Sequence, residues 1–221
     1  MGRKQILFGL VVVAIIAVGA AAWYVFFDST SQSAVPTADA QSNVKITARD
    51  RTLGSPKAPI LMVEYAAPTC PHCAHFDMEV FPLLKKTYID TGKVHYVLRV
   101  FPLGPADVAA EAMARCLPED NYFQFLDLLW RNQVKWDPEY RVPDVHAGLV
   151  QLGRIAGLSA EKVDSCIGNQ AESAKISQVG TDASNKYGIN SVPTFVVNGE
   201  VRQFVGGWDD VQTYLNGLLK K

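Results

Sequence analysis

Apolar residues run unbroken over positions 6–27, 22 residues flanked by Arg3 and Lys4 on one side and Asp28 on the other. Coiled as a helix, such a run reaches about 33 Å, enough to cross the hydrocarbon core of a bilayer. Residues 29–43 are rich in Ser, Thr, Ala and Gln with no apolar period, and read as a tether. Beyond them the pattern breaks into short elements. Val44-Lys45-Ile46-Thr47 alternates like a short strand. Leu53-Gly54-Ser55-Pro56 and Ala58-Pro59 mark a turn. Residues 60–65 form a strand-type apolar run with one acid, Glu64, inside it. After Cys70 a helical period carries Phe76, Val80, Leu83, Leu84 and Tyr88; Pro82 should kink that helix, and Gly92 closes it. Residues 94–100 are a second β-type run.

The pattern then changes. Over about 105–170, apolar residues recur at helical spacing in 108–116, 122–130, 145–155 and 163–167, punctuated by Pro118, Pro143, Gly157 and Gly168. This block reads as a helical insertion. A further helix spans about 171–187 and ends at Gly188. Residues 194–201 read as a strand with an Asn198-Gly199 hairpin turn, continued on the far side by Gln203-Phe204-Val205. Asp209 with Gln212 suggests a capping-box start to the last helix, which ends at Lys220 and Lys221. The order of elements predicts an α/β domain, a mixed sheet with helices packed on it, over 44–221.

Composition narrows the reading. With 48% hydrophobic and 19% charged residues the chain can build a packed core. A net charge of −1 offers no basic surplus for a nucleic-acid backbone. The basic flank of the 6–27 run predicts export of everything after Asp28, with residues 1–28 acting as an uncleaved anchor or as a signal peptide; small-x-small sites lie at Ala20-Ala21-Ala22 inside the run and at Ala38-Asp39-Ala40, far from its end for a usual cleavage site. Either way the domain works in an oxidising compartment at the outer face of the inner membrane, the periplasm.

That compartment makes the cysteines the candidate chemistry. Cys70-Pro71-His72-Cys73 falls where a strand gives way to a helix. Free backbone N–H groups and the positive helix end favour a thiolate at Cys70. Pro71 suits the first helical position, and His72 adds a donor or a positive charge beside the sulfur. Such sites bring a cysteine pKa from ~8.5 to about 3.5–7.5. A stabilised thiolate favours the reduced form, so the pair is expected to give its disulfide away. Cys73, one turn inward, is the resolving thiol. Glu64, if buried, can take up or relay the Cys73 proton; as an edge-strand acid it would do neither. Cys70, Cys73, His72 and His75 could also be imagined as metal ligands, but no second C-x-x-C or spaced histidine pair completes the set, so neither a metal nor a cofactor is expected.

The stretch 53–65 leading into Cys70-Pro71-His72-Cys73, together with Ser191-Val192-Pro193-Thr194-Phe195, resembles the DsbA-like branch of the thioredoxin superfamily. The resemblance covers about 44–221 and places the helical block where that family inserts one. It implies a thioredoxin-like fold and a cis Val192–Pro193 bond facing Cys70, with Val192 free to pair with an extended substrate. From the residues alone, a trans proline opening a strand fits equally well. It further implies that Glu64 matches the family's buried acid, that exported proteins with free thiols are the clients, and that a quinone-linked membrane partner reoxidises the dithiol. Ala66-Ala67-Pro68-Thr69 departs from the aromatics often found before the first cysteine, which leaves the shape of the substrate groove open.

Cys116 and Cys166, 50 positions apart in the helical block, are expected to form a structural disulfide, with a second redox centre the weaker reading. His95, His146, Phe123, Trp130 and Trp136 read as ordinary strand, surface and core residues. A monomer is expected. The alternatives to a disulfide-donating oxidase are an isomerase or reductase on the same scaffold and a non-enzymatic metal-binding or chaperone module. Isomerases of the superfamily carry an N-terminal dimerisation domain, for which 29–43 is too short.

Overall fold

The structure, a computed structural model, describes residues 44–220. The apolar run 6–27 and the tether lie outside the described residues. No helix among those described is long and apolar enough to cross a membrane.

A mixed sheet forms the centre. Its strands are β1 (Arg51–Leu53), β2 (Ile60–Ala66), β3 (Val94–Val100), β4 (Thr194–Val197) and β5 (Glu200–Arg202), in the order β1-β3-β2-β4-β5. β2 and β3 run parallel; every other pairing is antiparallel. β2 is central and every residue of it is buried, which explains its near-continuous apolar run. Its side chains alternate between two cores. Leu61, Val63 and Tyr65 pack in a small cluster with Val97, Ala183 and Val196. Ile60, Met62 and Ala66 face the large cluster that holds Cys70 and Cys73. Glu64 belongs to this second face, between Leu98 and Phe195, so it is no edge acid.

The helix that follows Cys70, α1 (71–89), is not uniformly wound. Its turns at Phe76–Val80 and Lys85–Ile89 are widened to π geometry. Pro82 accounts for the first. A proline ring collides with the carbonyl four residues back and offers no N–H. The widened turn, in which the Phe81 N–H reaches back to Phe76, absorbs that conflict. Helices α2 (Pro105–Cys116), α3 (Tyr122–Arg131), α4 (Val145–Ile155) and α5 (Ala160–Ile167) make the inserted block. α6 (Gln170–Tyr187) returns to the sheet and ends on Gly188, whose φ of 69° is the left-handed C-terminal stop that glycine provides. Asn198 and Gly199 both take positive φ, 49° and 87°, as a tight hairpin requires. Asn198 also ties the turn to β2, its Oδ1 accepting the Leu61 N–H at 2.8 Å.

Three expectations about elements fail. Val44–Thr47 is no strand, because Thr47 is captured in a turn by the Asp50 carboxylate. The edge strand forms instead at Arg51–Leu53, of which the sequence reading placed only Leu53, in a turn, and it exists by pairing with β3. Gln203–Val205 does not continue β5: the Gln203 amide turns back to the hydroxyls of Ser191 and Thr194. The last helix, α7 (Trp208–Leu219), starts after Gly207, and Asp210 ties back to the Gly206 N–H at 2.6 Å in place of the Asp209–Gln212 box.

Cys116 and Cys166 are bonded, joining the end of α2 to α5 across a sequence separation of 50. In the chain-entropy account, closing a loop of that size contributes about 4 kcal/mol. Trp130 and Trp136 are buried and Phe123 packs against the same core. His95 is buried in β3, and His146 is exposed beside Asp164.

Candidate active site

Cys70 is the N-cap of α1, with extended φ and ψ of −76° and 119°, and Pro71 is the first helical residue. The Cys73 N–H points back at Cys70 Sγ, 3.3 Å away. Both cysteines are free and buried, Cys70 at 5% and Cys73 at 0% exposure. Cys70 is thus the more accessible of the two sulfurs.

The two thiols are driven apart. Cys70 is held down to about 7, first by the Cys73 thiol donating to it, then by the peptide N–H groups of Cys73 and His72; burial and the Asp107 charge work against this. The His72 contribution comes through its backbone, while its ring lies exposed. Cys73 is pushed well above its usual value, first by burial, then by its hydrogen bond to Cys70 and by the negative charges of Cys70 and Glu64. One sulfur is therefore a good leaving group at neutral pH and the other needs a proton.

Val192–Pro193 is cis. The loop lies against Cys70, whose thiol donates to the Val192 carbonyl at 3.5 Å. Beneath the pair, Glu64 is 2% exposed and accepts a hydrogen bond from Tyr96 Oη at 2.5 Å. Burial raises its carboxyl to about 8; the Tyr96 bond lowers it and the Cys70 charge adds to the rise. At neutral pH Glu64 is thus mostly a neutral acid, able to donate a proton as well as accept one.

The structure also brings in residues the sequence reading did not assign to the site. Each of the three residues before Cys70 has a backbone group held by a side chain from the helical block. Trp130 Nε1 donates to the Ala67 carbonyl at 3.1 Å, Gln133 Nε2 to the Pro68 carbonyl at 2.9 Å, and the Thr69 N–H donates to Asp107 Oδ1 at 2.8 Å. Trp130 reads as plain core from sequence. Asp107 carried one usable signal: an acid in the first turn of a helix that opens Gly104-Pro105.

A parallel–antiparallel sheet, a dithiol at a helix start and a cis-proline loop facing it together define a thioredoxin-like protein with an inserted helical block. A family model described as thioredoxin matches residues 47–217. The chain belongs to the thioredoxin family. Among its relatives, a putative protein-disulfide oxidoreductase of Rickettsia prowazekii is 32% identical over 173 residues, covering 78% of this chain and 62% of that protein. The chain spans less than two thirds of the length of the rickettsial relatives it matches. A probable disulfide bond formation protein D of Bacillus cereus is 27% identical over 77% of this chain and 79% of its own. The crystal structure of Wolbachia pipientis alpha-DsbA1 superposes with a TM-score of 0.72 at 29% identity, covering 79% of this chain and 93% of that one. The resemblance to the DsbA-like branch is borne out.

Proposed function

We propose that the chain is a protein thiol:disulfide oxidoreductase acting as a dithiol oxidase, which donates the Cys70–Cys73 disulfide to exported proteins. The observation that carries this reading is a split in the setting of the two sulfurs: Cys70 caps the helix start with the Cys73 N–H on its sulfur at 3.3 Å and the Val192 carbonyl beside it, while Cys73 is fully buried.

The reaction follows from that split. A client thiolate approaches beside Val192 and attacks Cys70 Sγ of the oxidised enzyme. The Cys70–Cys73 bond breaks, and its electron pair leaves on Cys73. Glu64 in its neutral form supplies the proton that this buried sulfur needs. A second client thiolate then attacks the client sulfur of the mixed disulfide and expels Cys70 as a thiolate. The client loses two electrons and its two thiol protons. The enzyme gains the two electrons, ending with Cys70 as thiolate and Cys73 as thiol; one proton restores Glu64 and the other enters solvent. A low leaving-group pKa at Cys70 speeds the second step.

The reading places the domain outside the cytoplasm as a monomer, with residues 1–28 as anchor or signal. A membrane partner linked to quinone would return the dithiol to the disulfide. The test is equilibration of the purified protein with glutathione buffers. An oxidase is expected to poise at roughly −200 mV or above, whereas a value near about −270 mV would mark a reductase and overturn the reading.

A further inference from the structure

Asp107 is fully buried, and backbone N–H groups of two different loops bond to it. Oδ1 accepts from Thr69 at 2.8 Å, and Oδ2 accepts from Leu103 at 2.8 Å and Gly104 at 3.2 Å. Burial raises the Asp107 carboxyl above its usual value, and the three N–H donors together with the Thr69 side chain pull it back toward the ionised form. In its ionised form the carboxyl sets a negative charge against the peptide that precedes Cys70, and that charge works against the Cys70 thiolate. Any short hydrogen-bond acceptor could hold the Thr69 N–H; the charge is what a neutral acceptor would not bring. A buried charge acts on its neighbours with little screening by solvent.

We infer that Asp107 is a positioning residue of the dithiol site. From the helical block it locks the Thr69–Cys70 peptide in place, and its charge limits how strongly the site stabilises the Cys70 thiolate, making the disulfide a milder oxidant than the helix start alone would produce.

The other groups acting on Cys70 pull differently. Cys73 and the peptide N–H of His72 favour its thiolate. Glu64, on β2, is mostly neutral below about 8. Asp137, also buried, is raised first by burial, with the Glu139 and Asp107 charges adding to the rise. Asp107 is the side-chain charge that opposes the Cys70 thiolate. Trp130 and Gln133 hold the same loop through neutral groups, which gives a built-in comparison between grip and charge.

The inference rests on Cys70 and Cys73 being the reacting pair, and it is read as a difference from the wild type, so it stands or falls separately from the wild-type potential. The measurement is the ultraviolet titration of Cys70 in the reduced full chain, with the glutathione equilibrium alongside. Asp107→Asn and Asp107→Ser each keep an acceptor for Thr69 and remove the charge. Both are expected to lower the Cys70 midpoint by about half a unit and to shift the glutathione equilibrium at pH 7 about twofold toward the reduced enzyme. Trp130→Phe loosens the same loop without changing charge and is expected to give no downward shift. A midpoint that stays put or rises in the Asp107 variants would overturn the inference, whatever their thermal stability. So would an equal downward shift in Trp130→Phe, because loop distortion would then explain the effect.

Discussion

Replacing Cys73 with alanine is expected to end disulfide donation completely while leaving Cys70 able to form a mixed disulfide. The loss is total because a single sulfur has no intramolecular bond to give. Cys70 keeps its helix-start position and the peptide N–H groups of Cys73 and His72, so it still attacks a small disulfide such as oxidised glutathione. It loses the Cys73 thiol, the largest single cause of its lowered pKa, so the attack is slower at neutral pH than in the wild type. Mass spectrometry of the variant after exposure to oxidised glutathione should find one reducible adduct, on Cys70. Cys70→Ala should form no such adduct, because Cys73 is fully buried and its thiol is hard to ionise. Disulfide donation by Cys73→Ala, or an adduct mapped to Cys73, would contradict the assignment of roles.

The second large effect lies in stability against pH. Glu64 has a folded-state pKa raised by burial from 4.5 to about 8. A carboxyl raised on folding binds its proton more tightly in the native state. Stability is therefore greatest below the unfolded value and falls as pH climbs from about 4.5 to about 8. Glu64→Gln keeps an oxygen for Tyr96 Oη and has no proton to lose. Its stability relative to the wild type should therefore improve by about 4 kcal/mol between pH 5 and pH 8.5. Asp77 is also raised to about 8, first by burial and then by its hydrogen bond with Asp127, and it adds its own decline over the same window. The comparison is accordingly made between variant and wild type by urea unfolding at both pH values. The same variant should slow the first exchange step, since Cys73 loses its proton donor. A pH-independent difference in stability would show that Glu64 does not carry the shifted titration.

Much of this site can be traced to local signals. Pro71 at the first helical position, the Asn198-Gly199 hairpin and the Gly188 helix stop each write their conformation into one or two residues. The acid inside the apolar run of β2 could be noticed from sequence, but its burial depended on strand order, and only the pairing of β2 with both β3 and β4 settles it. What stayed illegible is what joins distant parts of the chain. β1 is three residues held by β3, and no period in 51–53 announces it. The grip on the Cys70 loop links residues 38 to 65 positions apart, through a tryptophan that looks like core, a glutamine with no motif and an aspartate that looks like a cap. Pro82 signalled a kink, yet a widened turn met the same steric demand and kept α1 continuous.

The central claim is that the protein makes the Cys70 sulfur comfortable as an anion while denying this to Cys73. Ultraviolet absorbance of the reduced wild-type chain, followed across pH, reads it directly. Two separate thiolate steps should emerge, the first near 7 and the second well above 9. A single step at the ~8.5 of an ordinary cysteine would contradict the account.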